Sequence, residues 1–277
     1  MKSSFFVFIM LFFAVAAVQA QTDIRKVDFK NFTYSAFCAG EKPENIAVKD
    51  GQFEREKKMD GYVDRMGFGI YSIEYGDLNG DGKDEAIILS SCNTGGTGQF
   101  SEGYVYTMKA GKPSLWVRIP GGDRGDGGLV SAKAVAGLLV VEQNAMDASG
   151  GTCCPQFIET STYRIVSGKL VESRKGTRRE AVPRERVAFD KGASSKTFKV
   201  KIDSYMEKRF TVGAAAGQTL SVSVDLDGVT LSLLDDADVT DGKNSFSAKL
   251  PKKGDYTFEL TNGNDAAREI SVTVTIK

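Results

Sequence analysis

From Val187 onward the chain alternates apolar and polar residues. Leu220, Val222, Val224 and Leu226 stand against Ser221, Ser223, Asp225 and Asp227, and Tyr256-Phe258-Leu260 and Ile270-Val272-Val274-Ile276 repeat the pattern. Successive side chains of a strand point to opposite faces, so period two over several short segments specifies antiparallel sheets with one buried and one wet face. About eight such strands in roughly 90 residues predict a β-sandwich of jelly-roll character over 187–277. Pro251 to Asp255 and Asn262 to Asp265 are turns by their own chemistry.

The preceding residues, 21–172, have a different grammar: glycine-rich, cysteine-bearing, with short strand-like pieces between turn clusters. Strands are expected near Val27–Tyr34, Ile70–Tyr75, Ala86–Ser90, Tyr104–Met108, Leu115–Ile119, Gly137–Gln143, Phe157–Val166 and Lys169–Glu172. Only Phe53 to Arg65 has any helical colour, and its charges read as a solvated loop face. The expected fold class is therefore mainly β, a disulfide-bonded β-rich domain with little helix followed by the sandwich. Between them, 173–186 holds Arg174, Lys175, Arg178, Arg179, Arg184 and Arg186 and reads as a basic linker.

The run Asp77-Leu78-Asn79-Gly80-Asp81-Gly82-Lys83-Asp84-Glu85 sets oxygen-bearing side chains at alternate positions around glycines. A calcium ion takes six to eight oxygens at about 2.3–2.6 Å, which a short wrapping loop can present. Asp77, Asn79, Asp81, the Lys83 carbonyl and Glu85 are the expected ligands, with calcium in a structural role. An EF-hand would need a Glu at the twelfth loop position, where Ile88 stands in what reads as a buried strand. Turn chemistry, with Asp and Asn satisfying local backbone groups, is the competing reading.

Met1-Lys2, the apolar run Phe5 to Val18 and the small residues before Gln21 predict a secretory signal peptide over 1–20. No Cys follows the cleavage point, so no lipid anchor is expected, and the mature chain is expected in the periplasm or secreted. No later segment approaches the roughly 18 apolar residues of a membrane span. The chain holds 36 basic and 36 acidic residues; losing Lys2 leaves 35 against 36. Such balance gives no electrostatic ground for nucleic-acid binding. The absence of His removes the usual general base and the commonest transition-metal ligand.

Cys38, Cys92, Cys153 and Cys154 are an even count for an oxidising compartment. Three full pairings exist. The preferred one joins Cys38 and Cys92 each to one member of the Cys153-Cys154 pair, because longer closed loops constrain the unfolded chain more.

The segment Tyr75 to Ala86 resembles the calcium loop of FG-GAP repeats, which implies a strand-loop-strand unit with ligands at Asp77, Asn79, Asp81 and Glu85. A single copy does not make a propeller. With Ser91 to Gly98, Gly121 to Arg124 and Cys153-Cys154-Pro155, the first domain is similar to uncharacterised exported bacterial proteins of the LppP/LprE kind. Val187 to Ser195, Ala216 to Leu220 and Leu250 to Tyr256 resemble bacterial pre-peptidase C-terminal domains and, more closely, periplasmic inhibitors of g-type lysozyme. Those resemblances imply a sandwich; fold alone does not transfer activity.

The leading expectation is an exported, non-catalytic, calcium-stabilised binding or structural protein of the bacterial envelope. The first alternative is a protein inhibitor of a peptidoglycan hydrolase, with a lysozyme as partner, acting through the sandwich. The second is a glycan hydrolase using carboxylates such as Asp123 or Glu142. The acidic run Asp235, Asp236, Asp238 and Asp241 reads as a solvated loop, the stretches Asn93 to Gly98 and Gly121 to Arg124 as flexible loops, and Trp116, Tyr104 and Tyr106 as half-buried packing.

Overall fold

A computed structural model describes residues 23–38, 40–147 and 155–277, apart from the side chain of Lys175. The leader expected at 1–20 lies outside the described residues. Among them there is no α-helix, only one 3-10 turn at Ile24–Lys26, and no helix long and apolar enough to cross a membrane. The fold is mainly β. Contacts divide the chain into two compact units, one reaching Asn144 and including Thr160–Thr177, the other made of Ala145–Glu159 with Arg178–Lys277.

In the first unit, β1 (Thr33–Ala36) pairs with β2 (Glu44–Ala47). A five-stranded antiparallel meander follows, β3 (Gln52–Met59), β4 (Tyr62–Gly76), β5 (Glu85–Asn93), β6 (Gln99–Lys109) and β7 (Lys112–Ile119), in sequence order. A second sheet has the order β11-β10-β9-β8, from β8 (Leu129–Val135), β9 (Leu138–Ala145), β10 (Phe157–Val166) and β11 (Lys169–Glu180), of which β9 to Asn144, β10 from Thr160 and β11 to Thr177 belong to this unit. The stretch expected to be a solvated loop near Phe53–Arg65 is instead the β3–β4 hairpin, closed at Asp60-Gly61 with Met59 opposite Tyr62. Its side chains are mostly exposed, so no apolar alternation marked it as a strand. The two-residue connections Ala110-Gly111, Ala136-Gly137 and Ser167-Gly168 hold positive φ at both positions, the geometry that matches strand twist in tight hairpins.

The central strand β5 explains why Ala86-Ile87-Ile88-Leu89 is apolar without alternation. Ala86, Ile88 and Cys92 join a core with Phe29, Tyr34, Phe68, Tyr104 and Tyr106. Ile87 and Leu89 join another with Val105, Ile119, Leu139 and Val141. Both faces of β5 are covered, and a strand covered on both faces reads as a continuous apolar run. Tyr104 and Tyr106 are buried rather than half-buried, at 0% and 5% exposure, and pack in an aromatic cluster with Tyr34, whose ring centroid lies 5.3 Å from that of Tyr104. Burying such rings removes 150–250 Å² each from water, the largest single contributions to a core.

Cys38, just after β1, is bonded to Cys92 on β5, with their Cα atoms 5.3 Å apart. This replaces the expected pairing of each with Cys153 or Cys154, which lie outside the described residues. Loop-closure entropy acts on the unfolded chain and does not choose partners; packing of the β1–β2 hairpin on the β5 face brings these two thiols within bonding reach. The Glu102 carboxylate stabilises the turn at this bond, accepting from Phe37 N–H at 2.6 Å and Cys38 N–H at 2.7 Å.

In the second unit, one sheet has the order β12-β14-β19-β16, built from β12 (Arg184–Arg186), β14 (Glu207–Ala214), β16 (Val229–Leu233) and β19 (Gly254–Asn262). The other has the order β13-β20-β15-β18-β17, from β13 (Ser195–Ile202), β15 (Thr219–Val224), β17 (Asp238–Gly242), β18 (Ser245–Lys249) and β20 (Arg268–Ile276). The alternating residues face inward as expected. Leu220, Val222, Phe258, Leu260, Val272 and Val274 share one core at 0–1% exposure. The basic stretch read as a linker carries β11 to Glu180 and the short β12, which pairs in parallel with β14. Its charges are partly satisfied locally, Arg184 by Glu180 at 2.8 Å and Arg186 by Asp255 at 2.8 Å.

Candidate functional site: the acidic loop between β4 and β5

The acidic run occupies the connection between β4, ending at Gly76, and β5, beginning at Glu85. The strand pairing Tyr75↔Ala86 and Gly76↔Glu85 holds the two ends of the loop together. Between them the backbone turns through Gly80 and Gly82 at φ 79° and 80°, values that side-chain-bearing residues adopt at a cost. Neither glycine has a heavy atom within 4 Å of where a Cβ would sit, so their role is conformational.

The polar side chains point back onto the loop. Asp77 accepts from the N–H groups of Gly80 at 2.6 Å, Gly82 at 2.9 Å and Asn79 at 3.1 Å. The Asn79 side-chain oxygen accepts from Asp81 N–H at 2.8 Å, and Asp81 accepts from Lys83 N–H at 2.9 Å. Those amides, from Gly82 and Gly80 foremost, hold the Asp77 carboxyl below the usual range.

Glu85 is different in kind. It is 1% exposed, at the first position of a central strand. Burial pushes its carboxyl above the usual range; Leu78 N–H and the Thr107 hydroxyl pull it down, while the charges of Asp81 and Asp77 push it further up. Its oxygens accept from Leu78 N–H at 2.9 Å, Asn79 Nδ2 at 2.9 Å and Thr107 Oγ1 at 3.0 Å. A buried carboxylate facing two further acids is an electrostatic setting that a cation relieves.

A cavity of about 320 Å³ adjoins the loop, lined by Asp81, Lys83, Asp84 and Glu85 together with Asp23, Arg25 and Thr107. Arg25 pairs with Asp84 at 2.6 Å and lies over the Tyr75 ring at 4.8 Å. Asp84 is thereby taken by a cation already present in the chain, and the remaining oxygen donors are those at Asp77, Asn79, Asp81, Lys83 and Glu85. Among the described residues, no three Asp, Glu, Cys or His side chains are disposed to hold a metal ion together. The residue types are those of a hard-cation loop, while the Asp77, Asn79 and Asp81 oxygens are turned to backbone amides.

The other acidic candidates are separate. Asp123 accepts from Arg124 N–H at 2.6 Å in the loop before β8, and Glu142 on β9 accepts from Ser131 Oγ at 2.9 Å. In the second unit, Asp235 accepts from Thr257 N–H at 2.6 Å, and Asp238 and Asp241 sit exposed on the edge strand β17. The stretch Gly121 to Arg124, expected as a flexible loop, is closely built. A Cβ on Gly121 would stand 2.1 Å from Ser101 O and one on Gly122 2.4 Å from Asp126 O. The sequence signal for this was the glycine run itself, read as mobility where it permits close backbone approach.

No protein-family model matches the chain, and no curated protein matches it. The resemblances to FG-GAP loops and to LppP/LprE-like proteins therefore rest on the quoted residues alone. Among solved structures the chain is similar to periplasmic inhibitors of g-type lysozyme. That of Aeromonas hydrophila aligns at 22% identity and TM-score 0.30, over 35% of this chain and 97% of that one. That of Salmonella Typhimurium aligns at 24% identity and TM-score 0.30, over 34% and 97%. A mutant of the Escherichia coli inhibitor aligns at 24% identity and TM-score 0.30, over 35% and 100%.

Proposed function

We propose that this chain is an exported, non-catalytic, calcium-stabilised binding or structural protein of the bacterial envelope. The observation that carries the reading is Glu85, a carboxylate at 1% exposure with its pKa raised by burial, at the end of a loop supplying four further oxygen donors. Bound there, calcium would be held by Asp77, Asn79, Asp81, the Lys83 carbonyl and Glu85, and it would fasten the β4–β5 connection. The ion supplies charge neutralisation; the chain supplies the bends and the paired strands. Thermal unfolding of the oxidised protein in calcium and in chelator, with Asp81→Ala alongside, tests this. Hundredfold excess over the dissociation constant adds about 2.7 kcal/mol of stability. A melting temperature equal in both buffers would overturn the calcium reading.

A second reading, inhibition of a g-type lysozyme by the sandwich, is favoured by the β13–β14 loop. Tyr205 and Met206 are 69% and 57% exposed there, and Tyr205 holds φ at 56°. The fully buried Asn262 locks the base of this loop, donating to the carbonyls of Ile202 at 3.3 Å, Asp203 at 3.0 Å and Ala266 at 2.8 Å. An aromatic anchor on a braced loop suits entry into a partner's cleft. Cell-wall lysis by a g-type lysozyme should fall on adding the protein and recover with Tyr205→Ala; undiminished lysis at excess protein excludes it.

A further inference from the structure

A second cavity of the first unit, about 300 Å³, lies away from the acidic loop between β4, β6 and the glycine-rich segment 121–128. Arg124, Tyr71, Phe100, Asn144, Gln99 and Ser91 line it. We propose that this cavity binds an acidic monosaccharide unit of the uronic acid class, with Arg124 recognising the carboxylate.

The walls are fixed before any ligand arrives. Arg124 N–H donates to Gln99 O at 2.9 Å, and Asn144 Nδ2 donates to Arg124 O at 2.7 Å, so the residue is held from both sides. The Tyr71 hydroxyl donates to Leu129 O at 2.7 Å, which anchors its ring at the rim. The segment itself cannot relax outward without losing contacts that only glycine allows: a Cβ on Gly128 would stand 2.8 Å from Asp123 O and 2.9 Å from Arg124 Cα. Preorganised walls lower the ordering cost of binding.

The Arg124 guanidinium is exposed, with no hydrogen bond or ion pair to another group of the described residues. The neighbouring Asp123 carboxylate turns to the backbone, accepting from Arg124 N–H at 2.6 Å and Gln99 N–H at 3.5 Å. Among the described residues Arg124 forms no ion pair, unlike Arg25, Arg55, Arg65, Arg118, Arg178, Arg184, Arg186 and Arg209. A planar fork of donors on a residue that lines a cavity matches a carboxylate. The amides of Asn144 and Gln99 and the Ser91 hydroxyl offer both donors and acceptors for sugar hydroxyls, and the Tyr71 and Phe100 rings offer apolar surface to the C–H face of a pyranose. The volume is at the lower limit of small-molecule sites, which suits a single sugar ring rather than an oligomer.

Calorimetric or NMR titration of the whole protein with glucuronate, glucose and inorganic phosphate tests the site, with Arg124→Gln and Arg124→Lys alongside. Glucuronate is expected to bind saturably, glucose far more weakly, and Arg124→Gln to weaken glucuronate roughly tenfold or more, with Arg124→Lys between the two. Since Arg124 is exposed, unchanged melting temperatures show that the variants fold. No saturable binding of glucuronate, equal affinity in Arg124→Gln, or phosphate binding as tightly as glucuronate would each overturn the proposal.

Discussion

Glu85 closes the acidic loop from the far side, its buried carboxylate accepting from Leu78 N–H at 2.9 Å across the turn that precedes the strand. The first residue of β5 thus holds the start of the loop as well as its end. Burial and the Asp81 and Asp77 carboxylates disfavour the charged form of the same side chain, while Leu78 N–H and the Thr107 hydroxyl favour it.

Glu85→Gln should therefore separate the two roles. Neutralising the side chain removes the charge that burial penalises, so the calcium-free melting temperature is expected to hold steady or rise. The calcium-induced increase should shrink, because the amide is a poorer ligand for a hard cation. Paired melting curves in calcium and chelator measure both quantities.

The Cys38–Cys92 bond closes a loop of 54 residues. On a chain-entropy basis its removal costs about 4 kcal/mol. Cys92→Ser is expected to lower the denaturant midpoint accordingly, and mass spectrometry of the unreduced digest should find the peptide of Cys38 joined to that of Cys92. A digest joining either to Cys153 or Cys154 would contradict the bond.

Asn262 is a fully buried polar residue of the sandwich. Asn262→Ala leaves the Ile202, Asp203 and Ala266 carbonyls without their donor, and a buried unsatisfied group costs about 1–3 kcal/mol. We expect a loss of about 3 kcal/mol in urea unfolding and faster hydrogen exchange at Tyr205, whose N–H bonds to Asn264 O at 3.2 Å.

Three buried phenols make the first unit sensitive to alkali. Burial raises the Tyr106 pKa to about 12 and pushes Tyr34 and Tyr104 higher still. A phenol whose folded pKa exceeds its unfolded value stabilises the fold below the unfolded value of 10.0, and that contribution is lost as pH rises toward the folded one. Stability should fall above about pH 10, with tyrosinate absorbance from these rings appearing only with unfolding. Tyr106→Phe should lessen the fall by removing one of the three.

The sandwich core draws all its buried members from Val187 to Ile276. A fragment beginning at Arg184, so that β12 is kept, is expected to fold cooperatively and without response to calcium. A molten product by near-ultraviolet circular dichroism would show that its core needs residues from elsewhere in the chain.

The β strands of the sandwich were legible because each has one dry face, so Leu220-Val222-Val224 and Ile270 to Ile276 record their burial directly as period two. The acidic loop was legible as a tight strand-to-strand turn because Asp and Asn acceptors and glycine bends act on neighbouring backbone groups. The β3–β4 hairpin was not: with both faces mostly exposed, Gln52 to Met59 bears charges that strand, helix and loop tolerate alike. Nor was the closeness of the Gly121 segment to Ser101, since a missing Cβ permits flexibility and tight approach equally.

Local order in the sequence determined where the strands with one dry face and their turns fall, because alternation, glycine and turn residues act on the backbone within a few positions. Tertiary structure alone decided which residues from distant segments meet. Cys38 finds Cys92 because the β1–β2 hairpin lies on the β5 face, and Asp123 turns to the backbone while the neighbouring Arg124 forms no ion pair among the described residues. Contacts between distant segments depend on how whole sheets stack, and no spacing in the chain records that.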